Sequence, residues 1–298
     1  MELKGDKVKK VEKVEDGYVV YMLDKIYHLK KVNIKESELL FINEVIEYVN
    51  NNGFDNIIKF QRLSNGKPYM KYEGDVYVVI DNYNLIDLKK DINALCYASL
   101  LSKFHATAKG FAAKFEIKPS VVWGKRLEKY KNLYRVLEKF IDEVSSKSKH
   151  NEFEQQVIPY LDELKSRSKK SMKVLRSISY IDLLETSMKN KEIVLYDIGK
   201  NSLAEKDSRH FIYNVFDISY GLIEEDLAVL IKKCNKNLKE NIIDIYKENS
   251  PRELNIDVLE AYILFPENTL KVIRDYVKQR DLSLIDKFKK ASIKDGVR

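Results

Sequence analysis

Hydrophobic and polar positions alternate between two periods several times along this chain. Two β-rich runs come first, "GYVVYMLD" (17–24) and "KIYHLKKV" (25–32). In the second, Ile26, His28 and Lys30 fall on one face and Tyr27, Leu29 and Lys31 on the other, the two-residue period of a strand. Asp24-Lys25 suits a tight hairpin between them. "ESELLFINEVIEYVNNNGF" (36–54) then spaces Leu39, Ile42, Ile46 and Val49 as a helix, and Asn-Asn-Gly at 51–53 is its stop signal. Three more runs read as strands: "NIIKFQRL" (56–63), "PYMKY" (68–72) and "VYVVIDNY" (76–83). From Leu85 the period becomes helical. A long amphipathic helix is expected over 88–108, with others over 121–149, 151–171 and 172–190. Short strands are expected inside "EIVLYDIGKNSLAE" and "RHFIYNVFDIS", and helices again from about 220 to 285. The polar end "KKASIKDGVR" reads as a frayed tail.

The pattern is α+β: a small lobe at 1–82 with one helix on a sheet, a large helical lobe at 83–298, and a hinge-like link near Asp81–Leu85. Composition agrees with a globular chain, at 44% hydrophobic and 33% charged. A net charge of +7 permits an acidic partner without requiring one. The densest basic stretch, "KSRSKKSMK" (165–173), has no interleaved aromatics. It reads as a solvated helix face, and nucleic acid is not expected. Cys96 and Cys234 sit in apolar helical patterns without a CxxC partner, so reduced core thiols are expected. The four histidines lack ligand spacing for zinc. No apolar run approaches the ~18 residues of a membrane span, and the N-terminal "MELKGDKVKKVEKVEDG" has no apolar signal segment, so cytoplasmic synthesis is expected.

Several segments resemble the CotS family of bacterial spore coat proteins, within the kinase-like fold of the aminoglycoside and choline phosphotransferases. "YHLKKV" resembles its strand ending in Leu-Lys, and "ELLFINEVIEYVNNNGF" its first helix. "LSNGKPYMKYEGDVYVV" resembles its hairpin, "LLSKFHATAKGF" its L-A-x-x-H-x-A-S-x-G-F segment, and "LFPENTLKVIRDYV" its C-terminal F-P-x-x-F-W-K helix. The order and spacing of these segments, over about residues 15–280, carry the resemblance.

Phosphoryl transfer needs a phosphate-binding cation, a carboxylate to position the acceptor, and metal ligands. The resemblance implies Lys30 as the cation and Glu38 as its helical partner; Glu44 reads as surface. The glycine-rich loop is absent, with only Gly17 near the first hairpin. The catalytic loop H-x-D-x-x-x-x-N falls on "LYDIGKNS". Leu195 replaces the histidine, Asp197 is the acceptor-side carboxylate, and Ser202 replaces the asparagine. A one-residue shift instead recovers Asn201 and places Tyr196 at the aspartate. The metal-binding aspartate is replaced by Asn214 or Val215, and Asp217 is the nearby carboxylate. Losing that charge removes most affinity for a hard dication. His105 and Asp226 are expected to brace the catalytic loop, with Gly110 ending the His105 helix.

The expectation is a degenerate kinase acting in endospore coat assembly. It would be made in the mother cell, moved to the coat, partnered by other coat proteins and independent of any cofactor. The alternatives are an active phosphotransferase using ATP and magnesium, and a pseudokinase that binds nucleotide without catalysis.

Overall fold

A computed structural model describes residues 8–199 and 201–298. Its first layer is a five-stranded antiparallel sheet in the order β1-β2-β3-β5-β4. The strands are β1 (Lys10–Val14), β2 (Gly17–Tyr21), β3 (Ile26–Val32), β4 (Met70–Tyr72) and β5 (Asp75–Asp81). Helix α1 (Glu36–Asn51) joins the core through Leu39, Phe41, Ile42, Val45, Ile46 and Val49, all buried. The β2–β3 turn closes at Met22–Lys25, where the Met22 amide donates to the Lys25 carbonyl at 2.9 Å.

Two features of this sheet differ from the sequence expectation. Strand β1 is additional. "KVEKV" is an edge strand, and charged side chains are what an edge carries to resist pairing with other chains. The expected strand at 56–63 is instead an extended connector. Ile58 N donates to Ile212 O (3.1 Å), Ile212 N to Asn56 O (2.9 Å), and Gln61 N to Val79 O (2.8 Å). Its Ile57, Ile58 and Phe60 are apolar because they are buried between the sheet and the rest of the chain, which periodicity alone does not separate from a ladder strand.

The larger part is mainly helical. β6 (Asn84–Ile86) leads into α2 (Asp91–Ala108), α3 (Lys125–Ser145), α4 (Glu152–Val157), α5 (Leu161–Val174) and α6 (Ile178–Asn190). Short strands β7 (Ile193–Val194), β8 (Leu203–Lys206), β9 (Arg209–Ile212) and β10 (Ser219–Tyr220) follow. Then come α7 (Ile223–Lys233), α8 (Lys239–Lys247), α9 (Ile256–Leu264), α10 (Glu267–Gln279) and α11 (Leu284–Asp295). β6, β8 and β9 form one small antiparallel sheet, and β7 pairs with β10. The break between α5 and α6 lies at 175–177, where the Ser177 hydroxyl caps α6 by accepting from Tyr180 N.

The end of the chain is not frayed. α11 buries Phe288, Ala291, Ser292 and Asp295. The Asp295 carboxylate accepts from Thr269 N (2.7 Å), Thr269 Oγ1 (2.8 Å) and Asn268 Nδ2 (2.7 Å), satisfying donors in the first turn of α10. Cys96 and Cys234 are free, half-buried thiols. Among the described residues no helix is long and apolar enough to cross a membrane.

Gly17 sits at the β1–β2 turn with φ +146°, and a Cβ there would lie 1.9 Å from the Leu29 carbonyl oxygen. Gly17→Ala must therefore separate β2 from β3 locally. Urea unfolding should show a loss of at least about 1–3 kcal/mol; a change within about 0.5 kcal/mol, as at an ordinary surface site, would contradict this packing.

Candidate functional site

The loop after β7 is held from below by one carboxylate. Asp226, in the first turn of α7, is fully buried. It accepts from Leu195 N (2.6 Å) and Tyr196 N (2.8 Å). His105, on the buried face of α2, places Nε2 3.1 Å from the same carboxylate, and its Nδ1 faces the Tyr246 hydroxyl of α8 at 2.6 Å. A carboxylate only accepts, so Nε2 donates. Gly110, at φ +82°, stands just beyond the end of α2.

Asp226 is the last of three consecutive buried acids. Glu224 pairs with Arg252 at 2.6 Å, and Arg252 also binds Glu192. Glu225 accepts from Arg126 Nε at 2.9 Å and from the Tyr262 hydroxyl at 3.1 Å. Burial pushes the Glu225 carboxyl up, against the pull of Arg126. Arg126 also reaches Glu267 (3.4 Å) and the Tyr196 carbonyl (3.4 Å), and its guanidinium lies 5.0 Å from the Tyr196 ring centroid. Tyr196 has φ +63°, so this grip holds it in the left-handed region that side chains rarely adopt. Burial opposes ionisation of Glu267, but Arg126, Lys129 and Lys271 hold its carboxyl far below the usual range. Arg126 was not picked out from the sequence; it is one of many basic residues on a charged helix, and its partners are 70 or more positions away.

Asp197 projects outward from this anchored loop with a largely exposed side chain, 3.6 Å from Lys233 Nζ. Asp217 lines the same cavity, of about 500 Å³. Although solvent reaches it, it sits in a concave wall; desolvation first, then the charges of Asp197 and Glu38, push its carboxyl up. The remaining expected ligand positions are engaged or apolar. Ser202 Oγ accepts from Gly199 N at 2.6 Å. Asn214 Nδ2 donates to the Asp197 carbonyl at 3.0 Å. Val215 is fully buried, as is Leu195, and Asn201 is exposed. Among the described residues no group of three or more His, Cys, Asp or Glu could hold a metal. Asp197 and Asp217 could hold a magnesium ion only with further oxygen ligands, such as water and a nucleotide's phosphates.

In the small sheet, Lys30 of β3 is paired with Asp16 in the β1–β2 turn. His28 Nε2 lies 3.1 Å from the other Asp16 oxygen. The Lys30 ammonium is 5.7 Å from the Tyr213 ring centroid and 5.9 Å from that of Phe216, within cation–π range. Glu38 does not join it: its carboxylate accepts from the Lys35 amide at 3.4 Å, at the start of α1. Glu44 is not a surface residue either. Its side chain is 10% exposed and accepts from the Lys114 amide at 3.2 Å, tying α1 to the segment after α2. Asp16 went unnoticed in the sequence because a turn aspartate before glycine is ordinary turn chemistry.

Two outcomes follow. His105→Ala would strand a buried carboxylate with two amides and remove the Tyr246 contact; urea unfolding should show about 3 kcal/mol lost, and a loss under about 1 kcal/mol would contradict the brace. Burial raises the Asp16 carboxyl, but the Lys30 hydrogen bond and the Lys30 and His28 charges outweigh it and hold it below the usual 3.8. The pair's stabilisation is then complete above that value and lost as pH falls through the lower folded one. An NMR titration of Asp16 should give a midpoint below 3.8; one at or above it would contradict the pairing.

The folded arrangement is similar to solved phosphotransferases. An aminoglycoside phosphotransferase from Alicyclobacillus acidocaldarius superposes with a TM-score of 0.84 at 14% identity, covering 97% of this chain and 89% of that one. Spectinomycin phosphotransferase APH(9)-Ia, in complex with ADP and spectinomycin, gives 0.59 at 13% identity over 97% and 93%. The choline kinase LicA from Streptococcus pneumoniae gives 0.50 at 13% identity over 98% and 95%. These likenesses show the kinase-like phosphotransferase fold. No curated protein matches the chain in sequence. The family described as "Spore coat putative kinase YutH" matches residues 5–290. The chain therefore belongs to this CotS-like family of spore coat kinases.

Proposed function

We propose that the protein is a degenerate kinase that serves the endospore coat as an assembly or structural component, with little or no phosphoryl transfer. Its partners are other coat proteins, and its place is the coat after synthesis in the mother cell. The observation that carries this reading is the Asp16–Lys30 pair. The cation that would meet a nucleotide's phosphates already faces a carboxylate of its own chain. A phosphate must displace Asp16, leaving that carboxylate without its partner and adding like-charge repulsion. The absence of a carboxylate at Asn214 and Val215 supports the same conclusion, since the metal bridges the phosphates and neutralises developing charge in this chemistry.

One observation favours a second reading, an active ATP-dependent phosphotransferase of the aminoglycoside or choline kinase type. Asp197 and Asp217 line one cavity. Two carboxylates with nucleotide phosphates are the usual way a protein holds magnesium, and Asp197 would accept the proton of an acceptor hydroxyl. On an intermediate reading the chain binds nucleotide without turnover.

Thermal unfolding with ATP, with and without magnesium, separates these. Binding to the native state adds about 2.7 kcal/mol at 100 times the dissociation constant. The scaffold reading expects no shift of the wild-type midpoint at millimolar ATP in either condition. It also expects Asp16→Ala, which frees Lys30, to acquire a shift. A magnesium-dependent shift of the wild type would sink the reading in favour of a phosphotransferase; a magnesium-independent one would favour the nucleotide-binding pseudokinase.

A further inference from the structure

A second, larger concavity opens beside the Asp197 loop. It lies between α5, α7, α9 and α11, reaches Gly199 of that loop, and has a volume of about 1100 Å³. It shares Lys232, Lys233 and Lys294 with the Asp197 cavity. Nine lysines and arginines line it, against three carboxylates. The basic stretch at 165–173 supplies one wall through Arg167 and Lys170.

Among the described residues the excess is not compensated. Lys89, Lys170, Lys236, Lys290 and Lys294 are exposed on the rim. Among the described residues none has a carboxylate oxygen within 4.0 Å. Elsewhere in the molecule lysines commonly do, as Lys31 with Asp75 and Lys206 with Asp81. Like charges crowded around a concave, low-dielectric wall focus a positive field into it. Burial pushes the Lys233 ammonium down, against the pull of Asp197, with a smaller push from Lys294 on the same rim.

The floor is aliphatic. Leu88 and Ile231 are buried in it, Ile263 and Leu264 are half-buried, and Ile293 stands 59% exposed at the edge. The lining contains no Phe, Tyr, Trp or His and a single arginine. Nucleic-acid grooves rely on aromatic stacking and arginine, so this lining disfavours them. The cleft is long and open, with cations spread around its rim, and a lone phosphate would leave the aliphatic floor wet.

We propose that this cleft grips an acidic segment of a partner polypeptide, its aliphatic side chains on Ile263, Leu264 and Ile293 and its carboxylates on the lysine rim. That the partner is a coat protein rests on the function proposed above; the ligand class rests on the cleft alone.

Fluorescence anisotropy of the full chain with a labelled Glu/Leu peptide tests it. Lys170→Glu with Lys290→Glu should weaken binding about ten-fold or more. Lys59→Glu with Lys139→Glu makes the same change of net charge away from the cleft and should weaken it less than about two-fold. Ile293→Ser should weaken the Glu/Leu peptide while leaving an all-Glu peptide unaffected. Circular dichroism verifies that each variant folds. Equal loss in both charge-reversal pairs would overturn the proposal, as would no binding at millimolar peptide. So would a single-stranded RNA of equal charge binding as tightly and losing affinity in the same cleft variant. Failure here leaves the nucleotide shifts untouched, so it is distinguishable from failure of the scaffold reading.

Discussion

Three successive carboxylates, Glu224, Glu225 and Asp226, enter the protein interior at the start of α7 and are each fully buried. Burying a charge is tolerated only with a partner and satisfied hydrogen bonds. Each acid therefore dictates a distant residue. Glu224 requires Arg252, which also holds Glu192 before β7. Glu225 requires Arg126 of α3, and Asp226 requires His105 of α2 with the amides of Leu195 and Tyr196. The positive end of the α7 dipole favours all three. This cluster ties the helices of the larger part to the catalytic-type loop, and that loop's geometry cannot change without unpairing a buried charge.

The kinase-like framework is thus tightly braced, and on the proposed degenerate-kinase reading the charges that would do its chemistry are engaged inside the chain or replaced. Lys30 faces Asp16, Ser202 caps its own loop, and Val215 is packed away. The loop is rigid where Asp226 and Arg126 grip it and open where Asp197 and Asp217 meet solvent. Among the described residues, lysines with no carboxylate partner collect next door, on the rim between α5 and α11.

Much of this was legible in the sequence. The helical period of Leu39, Ile42, Ile46 and Val49 marked α1, and the Asn-Asn-Gly stop fell at its observed end. The order and spacing of motifs pointed to the family. What stayed hidden was non-local. "NIIKFQRL" is apolar because two layers cover it, which looks the same as a strand. "KKASIKDGVR" is polar, and the Asp295 carboxylate anchors it to a helix start 26 residues earlier. Arg126 and Asp16 are unremarkable side chains in sequence, and their meaning lies in partners that only the fold brings near.

On the proposed scaffold role, the Asp16 carboxylate stands where a nucleotide phosphate would bind. A crystal structure of the wild type, grown with millimolar non-hydrolysable ATP analogue and magnesium, tests it most directly. The scaffold role predicts Asp16 on Lys30, with no phosphate or metal between Lys30, Asp197 and Asp217. A triphosphate seated on Lys30, with a metal ion held by Asp197 and Asp217, would contradict it.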